Sequence, residues 1–144
     1  MKAVIQKVKR CVLYSDGEKY SEIGEGELVL FGVSAEDKIE NVQAMADKLL
    51  KLRIFDDENG KTNKSLADIN GEIMVVSNFT LYANLKGTNR PDFIYSANKE
   101  KAEQIYNKFC EALREKMEIK TGVFHTYMEM ETVLDGPGTY ILEM

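Results

Sequence analysis

The stretch Glu72-Ile73-Met74-Val75-Val76-Ser77-Asn78-Phe79-Thr80-Leu81-Tyr82 decides the reading of the fold. It opens as an apolar run rich in β-branched residues, bounded upstream by Asn70-Gly71. Such a run is the pattern of a strand buried on both faces. At Ser77-Asn78 it turns polar, then resumes as Phe79-Thr80-Leu81-Tyr82. Two readings follow. In one, a buried strand ends in small hydrogen-bonding residues, which place backbone N–H groups and a hydroxyl at the rim of a site. In the other, an ordinary strand bends into a second, half-buried strand.

Upstream, Ala3 to Tyr14 reads as a first strand region interrupted at Lys9-Arg10. Ser15-Asp16-Gly17 is a turn, because Asp-Gly accepts the positive φ of tight hairpins. Lys19 to Ile23 is a short strand, Gly24-Glu25-Gly26 a break, and Leu28 to Val33 a fully buried strand. Ser34-Ala35-Glu36-Asp37 opens a helix, with Asp37 to Glu40 as a second capping-box spacing. Val42, Met45, Ala46, Leu49 and Leu50 form its apolar face, opposite Glu40, Lys48 and Lys51, and it ends near Arg53. A turn at Asp57-Glu58-Asn59-Gly60 and a short irregular or extended piece, Ser65 to Ile69, lead into the central strand.

Downstream, residues 83–91 form a loop carrying Lys86 and Arg90. Asn98 is placed to cap a second helix, whose stripe is Ala102, Ile105, Tyr106, Phe109, Cys110, Leu113 and Met117. Ile119 to Phe124, Tyr127 to Leu134 and Thr139 to Leu142 read as three extended segments, with Gly136-Pro137-Gly138 between the last two. Several strands and two amphipathic helices without regular βα alternation indicate an α+β fold with mainly antiparallel pairing.

The 144 residues suffice for one domain, 1–144, with a real core and no need of disulfides or metals. No run has the length of a transmembrane helix, and the first residues enter a strand pattern without an apolar leader segment. Cys11 and Cys110 are far apart at apolar-periodic positions and read as free buried thiols of a reducing compartment. One His and no Cys-x-x-Cys argue against structural zinc. The net charge of −5 disfavours a general RNA-binding module, which needs many phosphate contacts. It is compatible with an enzyme that holds only a short RNA end.

Side-chain chemistry is sparse. A Ser-His-Asp arrangement would have to use His125, far in sequence from Ser77 and without a nucleophile elbow. His125 reads instead as a half-exposed strand or turn residue. Asp56-Asp57-Glu58 sits in a turn with no apolar surroundings to raise a carboxylate pKa, so it reads as a solvated loop.

Ser77-Asn78-Phe79-Thr80-Leu81-Tyr82, paired with the late Asp135-Gly136-Pro137-Gly138-Thr139, resembles the D-aminoacyl-tRNA deacylases, also called D-tyrosyl-tRNA deacylases. The resemblance covers essentially the whole chain. It extends to Val4-Ile5-Gln6-Lys7-Val8, Lys51-Leu52-Arg53-Ile54-Phe55-Asp56-Asp57, Lys86-Gly87, Arg90-Pro91-Asp92-Phe93, and Gly122-Val123-Phe124 with Met128. The resemblance implies a compact β-barrel-like sheet with two helices. It implies a cytoplasmic homodimer that cleaves the ester of mischarged D-aminoacyl-tRNA at the 3′-terminal adenosine, with no cofactor, no metal and no membrane. Ser77, Asn78, Phe79 and Thr80 become the catalytic candidates. The N–H groups of Phe79 and Thr80 would hold the reacting ester while the adenosine 2′-OH assists. A threonine hydroxyl without a neighbouring base is a poor nucleophile, so Thr80 takes a positional role. Gly136, Pro137, Met128, Lys7, Lys86 and Phe93 become the substrate-binding candidates. Gly136-Pro137 matches a Gly-cis-Pro dipeptide that enters the partner subunit's site and excludes L side chains with its backbone.

The departures from the family pattern fall at or near that presumed pocket. Asn78 stands where the family usually has Gln, Gly138 where it has Val, Lys7 where it has Arg, and Leu134 where it has Asn. Phe124-His125-Thr126-Tyr127-Met128 replaces Phe-Gly-Ala-Asp-Met. Lys offers a point charge where Arg offers a fork. The departures bear on substrate and stereochemical selectivity rather than on fold. Three functions are therefore weighed: a D-aminoacyl-tRNA deacylase, a divergent paralogue of relaxed chirality that clears L-Ala- or Gly-charged tRNA, and a non-catalytic binder.

Overall fold

The computed structural model describes residues 1–87 and 89–144. Thr88, inside the expected loop 83–91, lies outside the described residues. The strands are β1 (Lys2–Ser15), β2 (Glu18–Ile23), β3 (Gly26–Gly32), β4 (Phe55–Asp56), β5 (Thr62–Lys64), β6 (Glu72–Ser77), β7 (Lys120–Thr121) and β8 (Met128–Glu143); the helices are α1 (Val42–Leu50) and α2 (Lys99–Arg114).

β1 organises the sheet. Its first half pairs with β3 (Lys2↔Gly32 to Val8↔Gly26) and its second half with β2 (Cys11↔Ile23 to Ser15↔Glu18), both antiparallel. β8 runs antiparallel along nearly all of β1, from Lys2↔Glu143 to Ser15↔Met128. β6 joins β3 in parallel and β7 joins β6 in parallel, so the antiparallel expectation holds for the larger part of the sheet. β2 curls toward β7, where the Ser21 hydroxyl donates to the Thr121 carbonyl at 3.1 Å. That contact draws the sheet into a barrel-like form.

Strand alternation sorts the apolar side chains into two cores. Ala3, Ile5, Val29, Phe31, Ile73 and Val75 face the helices, where Phe31 stacks on Phe109 with ring centroids 4.1 Å apart. Val8, Cys11, Leu13, Ile23, Leu28, Met74 and Val76 fill the barrel interior. β1 has register irregularities between Gln6 and Val8 and between Val8 and Arg10. They switch its inward parity from Val8 to Cys11 and Leu13. Lys9-Arg10, read as an interruption, is this irregularity inside one continuous strand.

Four other expectations are corrected. α1 starts at Val42, after a 3₁₀ turn at Ile39–Asn41, and ends at Leu50. The Asp37 carboxylate accepts from the Ser34 N–H at 2.7 Å, so the capping-type spacing closes a local turn and does not start a helix. α2 stops at Arg114, short of Met117. Phe79–Tyr82 is a 3₁₀ turn and not a second strand. The last two extended segments are one strand, β8, and the first shrinks to β7. Asn98 caps α2 as expected, its side chain accepting from Lys101 N–H at 2.9 Å. Cys11 and Cys110 are free and buried.

Candidate functional site

β6 is buried from Ile73 to Val76 and rises to the surface at Ser77. Asn78 N–H donates to the Phe31 carbonyl at 2.8 Å, which ties the strand end to β3. The Asn78 side chain then turns the chain. Its Oδ1 accepts from the Thr80 N–H at 3.1 Å and from the Thr80 hydroxyl at 2.5 Å. This Asx-type cap starts the 3₁₀ turn. The Phe79 carbonyl accepts from the Ser96 hydroxyl at 3.1 Å, and the Phe79 ring meets Phe93 at 4.8 Å. Phe79 is therefore fixed although its side chain is 58% exposed. Its N–H, the first of the turn, meets no acceptor among the described residues.

A cavity of about 720 Å³ opens here. Ser77, Asn78, Phe79, Phe93 and Met128, all named from sequence, line it together. So do Asn98 and Lys99 at the start of α2, and Phe124, His125, Thr126 and Tyr106. Of these, Asn98 reads from sequence as a cap and Tyr106 as core, while Phe124, His125 and Thr126 belong to the departures expected at or near the pocket. The wall is held by Tyr106, whose hydroxyl donates to the Val75 carbonyl at 2.9 Å and which burial keeps protonated. His125 is an exposed turn residue at φ +59°, a conformation that non-Gly residues adopt uncommonly, with Asn, Asp and His the most frequent.

Thr80 stands beside this wall with its hydroxyl spent on Asn78, which fits a positional role. Its N–H is spent there too, which leaves Phe79 N–H as the free donor of the pair. Lys86 lies on an exposed loop outside the cavity, its N–H donating to Asn84 Oδ1 at 3.1 Å. Asn84 and Asp92 close the base of that loop by two backbone hydrogen bonds and one side-chain bond.

The remaining candidates form a second group. Between Leu134, opposite Val8, and Thr139, opposite Gln6, β8 has four residues where β1 has one, Lys7. Asp135-Gly136-Pro137-Gly138 thus loops out of the ladder. The Gly136-Pro137 bond is cis. Gly136 has φ +113°, where an L side chain is disfavoured. Lys7 is 7% exposed and lies beneath the excursion, its Nζ 3.7 Å from Asp135 and 5.5 Å from the Phe55 ring centre. Gly138 lies outside the left-handed region. A Cβ there would meet Lys7 Cδ at 2.7 Å, so the lysine stem fills the room a side chain would take. The departure at Gly138 is therefore a matter of space beside Lys7.

Among the described residues, no group of three His, Cys, Asp or Glu side chains is placed to hold a metal ion. No helix among them is long and apolar enough to cross a membrane. Asp57 accepts the N–H groups of Lys61 and Asn59, which holds its carboxyl below the ordinary range, as a solvated turn would. Burial pushes the Cys110 thiol up to about 11, away from nucleophilic use.

The family model described as D-Tyr-tRNA(Tyr) deacylase matches residues 4–143. The chain belongs to the D-Tyr-tRNA(Tyr) deacylase family. Relatives named D-aminoacyl-tRNA deacylase agree. One from Dictyoglomus turgidum is 48% identical over 99% of this chain and 92% of its own length. One from Caldicellulosiruptor saccharolyticus is 44% identical over 99% of this chain and 97% of its own. A solved structure described as a c-Myc DNA unwinding element binding protein superposes with a TM-score of 0.93 at 44% identity, covering 100% of this chain and 99% of that one. A probable eukaryotic D-amino acid tRNA deacylase, 17% identical, shares the fold with a TM-score of 0.85 over 99% of this chain and 98% of its own. The family is one of hydrolases that act on ester bonds.

Proposed function

We propose that this chain hydrolyses the ester of mischarged D-aminoacyl-tRNA, releasing the free D-amino acid and tRNA. The observation that carries the reading is the cavity lined by Ser77, Asn78, Phe79 and Met128, with the Phe79 N–H meeting no acceptor among the described residues. Water adds to the ester carbonyl. The Phe79 N–H donates to the oxyanion that forms. Collapse of the intermediate breaks the bond to the ribose oxygen, which leaves with a proton, and the adenosine 2′-OH serves as the internal proton relay. The protein supplies position and one preorganised dipole, in keeping with the absence of a base beside Thr80.

The working form in this reading is a homodimer, with Gly136-Pro137 of one protomer at the cavity of its partner. Two features support it. Within one chain, the excursion and the cavity are separate groups. β8 also pairs only with β1 among the described residues, and it exposes Val133 (56%), Leu134 (45%) and Ile141 (67%). A long edge strand with such side chains calls for cover. Lys7 and the excursion then orient the dipeptide, whose backbone excludes an L side chain.

The test is release of D- and L-amino acids from matched charged tRNAs by the purified protein, with light scattering at micromolar concentration. The expected result is a dimer that cleaves the D form faster. Equal cleavage of L-Ala- or Gly-tRNA would mark a paralogue of relaxed chirality, and no release would mark a binder.

A further inference from the structure

Glu27 sits on β3 at 1% exposure, and neither carboxylate oxygen has a hydrogen-bond partner among the described residues. Its register partners are Lys7 on β1 and Ile73 on β6. Alternation puts the row Lys7–Glu27–Ile73 on the helix-facing side, continuing the apolar row Ile5–Val29–Val75. A directly opposed pair has Cβ atoms about 4.5–5.5 Å apart. The long lysine stem can reach such a neighbour, yet the Lys7 ammonium points to Asp135 and to Phe55. A buried carboxyl and a buried lysine thus occupy directly opposed positions without bonding to each other, the ammonium being engaged by the excursion.

The charged groups around this row are few. β1 contributes Lys7 and, further along, exposed Lys9, which lies 3.6 Å from both Asp135 and Glu25. β8 contributes Asp135, β6 presents Ile73, and β4 presents Phe55 to Lys7. Lys7 is the cation within cross-strand reach of Glu27.

We infer that Glu27 is a positioning residue for the Asp135–Gly138 excursion: it is the alternative partner of the Lys7 ammonium, and its ionisation draws Lys7 off Asp135. A neutral Glu27 leaves Lys7 free to hold Asp135, the arrangement in this structure. An ionised Glu27 is a buried charge whose nearest remedy is Lys7. Burial, its only resolved cause, pushes the Glu27 carboxyl up to about 8, so the exchange falls in a usable pH range. When Lys7 turns, its stem also leaves the space beside Gly138, and the excursion loses its buried charge contact and its packing together, keeping only the exposed Lys9 contact. The effect on stereochemical selectivity rests on the function proposed above; the exchange itself does not.

The experiment follows the Gly136 and Gly138 amide resonances of the ¹⁵N-labelled full chain from pH 6 to 9. Wild type, Glu27→Gln and Lys7→Met are compared. Both amides are expected to shift with a midpoint near 8 in wild type and in neither variant. Wild-type amides that do not titrate there, or a Glu27→Gln variant that titrates alike, would overturn the inference. If Glu27→Gln does not fold, the Lys7→Met comparison decides. In a second arm, the ratio of D- to L-aminoacyl-tRNA cleavage is measured at pH 7 and pH 9 after subtraction of enzyme-free hydrolysis. It is expected to fall roughly three- to tenfold in wild type and to stay flat in Glu27→Gln. Amide titration with a flat wild-type ratio would refute the positioning role. Amide titration with no cleavage at any pH would uphold the exchange and refute the proposed function.

Discussion

Two breaks in regular structure serve this molecule, and they are held in opposite ways. The turn after β6 is fastened by neutral hydrogen bonds: Asn78 to Phe31, Thr80 to Asn78, Ser96 to Phe79. The excursion in β8 is fastened by ion pairs to Asp135, from buried Lys7 beneath it at 3.7 Å and from exposed Lys9 at 3.6 Å. Neutral bonds to backbone hold their geometry across pH. An ion pair does not, because its strength follows the charge of both partners. In the proposed function, the chemistry sits on the pH-insensitive break and the selection of substrate on the adjustable one.

The hardest blow to the excursion is Gly136→Ala, which puts a side chain at φ +113° with its Cβ 2.8 Å from Gly138 N. A misplacement of about 1 Å can cost a hundredfold in rate. Cleavage of D-aminoacyl-tRNA is expected to fall by about that factor in single-turnover assays while the dimer persists. A parental rate would remove the excursion from the site.

Second comes Glu27→Gln. The Glu27 carboxyl moves from an ordinary 4.5 to about 8 on folding. The unfolded chain therefore releases this proton first. Stability is full below about 4.5 and is lost as pH rises toward 8. The slope is at most about 1.4 kcal/mol per pH unit. Urea unfolding at pH 5.5 and pH 7 should show Glu27→Gln gaining about 1–2 kcal/mol over wild type on that rise. Parallel curves would mean that the carboxylate is already compensated.

A smaller effect separates Lys7 from Gly138. Gly138→Val alone should push the lysine stem aside and lower the D-over-L ratio severalfold. Adding Lys7→Arg should raise the ratio above that of the parent by roughly tenfold, since a guanidinium can hold a carboxylate with two bonds from a shifted stem. A double variant no more selective than the parent would make both departures neutral.

The smallest effect belongs to the firm break. Thr80→Ala removes a hydroxyl that points at Asn78 and keeps both N–H groups. The rate should fall less than tenfold, about one hydrogen bond. A loss of three decades in the same assay would make Thr80 a chemical participant.

The core strands β1, β3 and β6 and the second helix were legible because their apolar residues recur at the right periods, and Ser77 to Thr80 because polarity interrupts a buried run. What escaped was decided by side chains used locally. The Asp37 spacing looked like a helix start, but its carboxylate closes on Ser34. Phe79–Leu81 looked like renewed strand, but Asn78 spends its side chain on Thr80 and coils the chain. Gly136-Pro137-Gly138 looked like a turn between strands, whereas the ladder resumes on the same β1 beyond it. Glu27 falls between the break at Gly24-Glu25-Gly26 and the strand read from Leu28, and no reading covers it. Its parity with Val29 and Phe31 was the signal that marked it as internal.

The excursion is clamped at both flanks, at Leu134 by Val8 and at Thr139 by Gln6. Changes in its length or composition therefore need not slide the register of the strand on either side. To evolution it is a cassette: the residues that the proposed function assigns to judging a substrate can be exchanged while the barrel that displays them stays as it was.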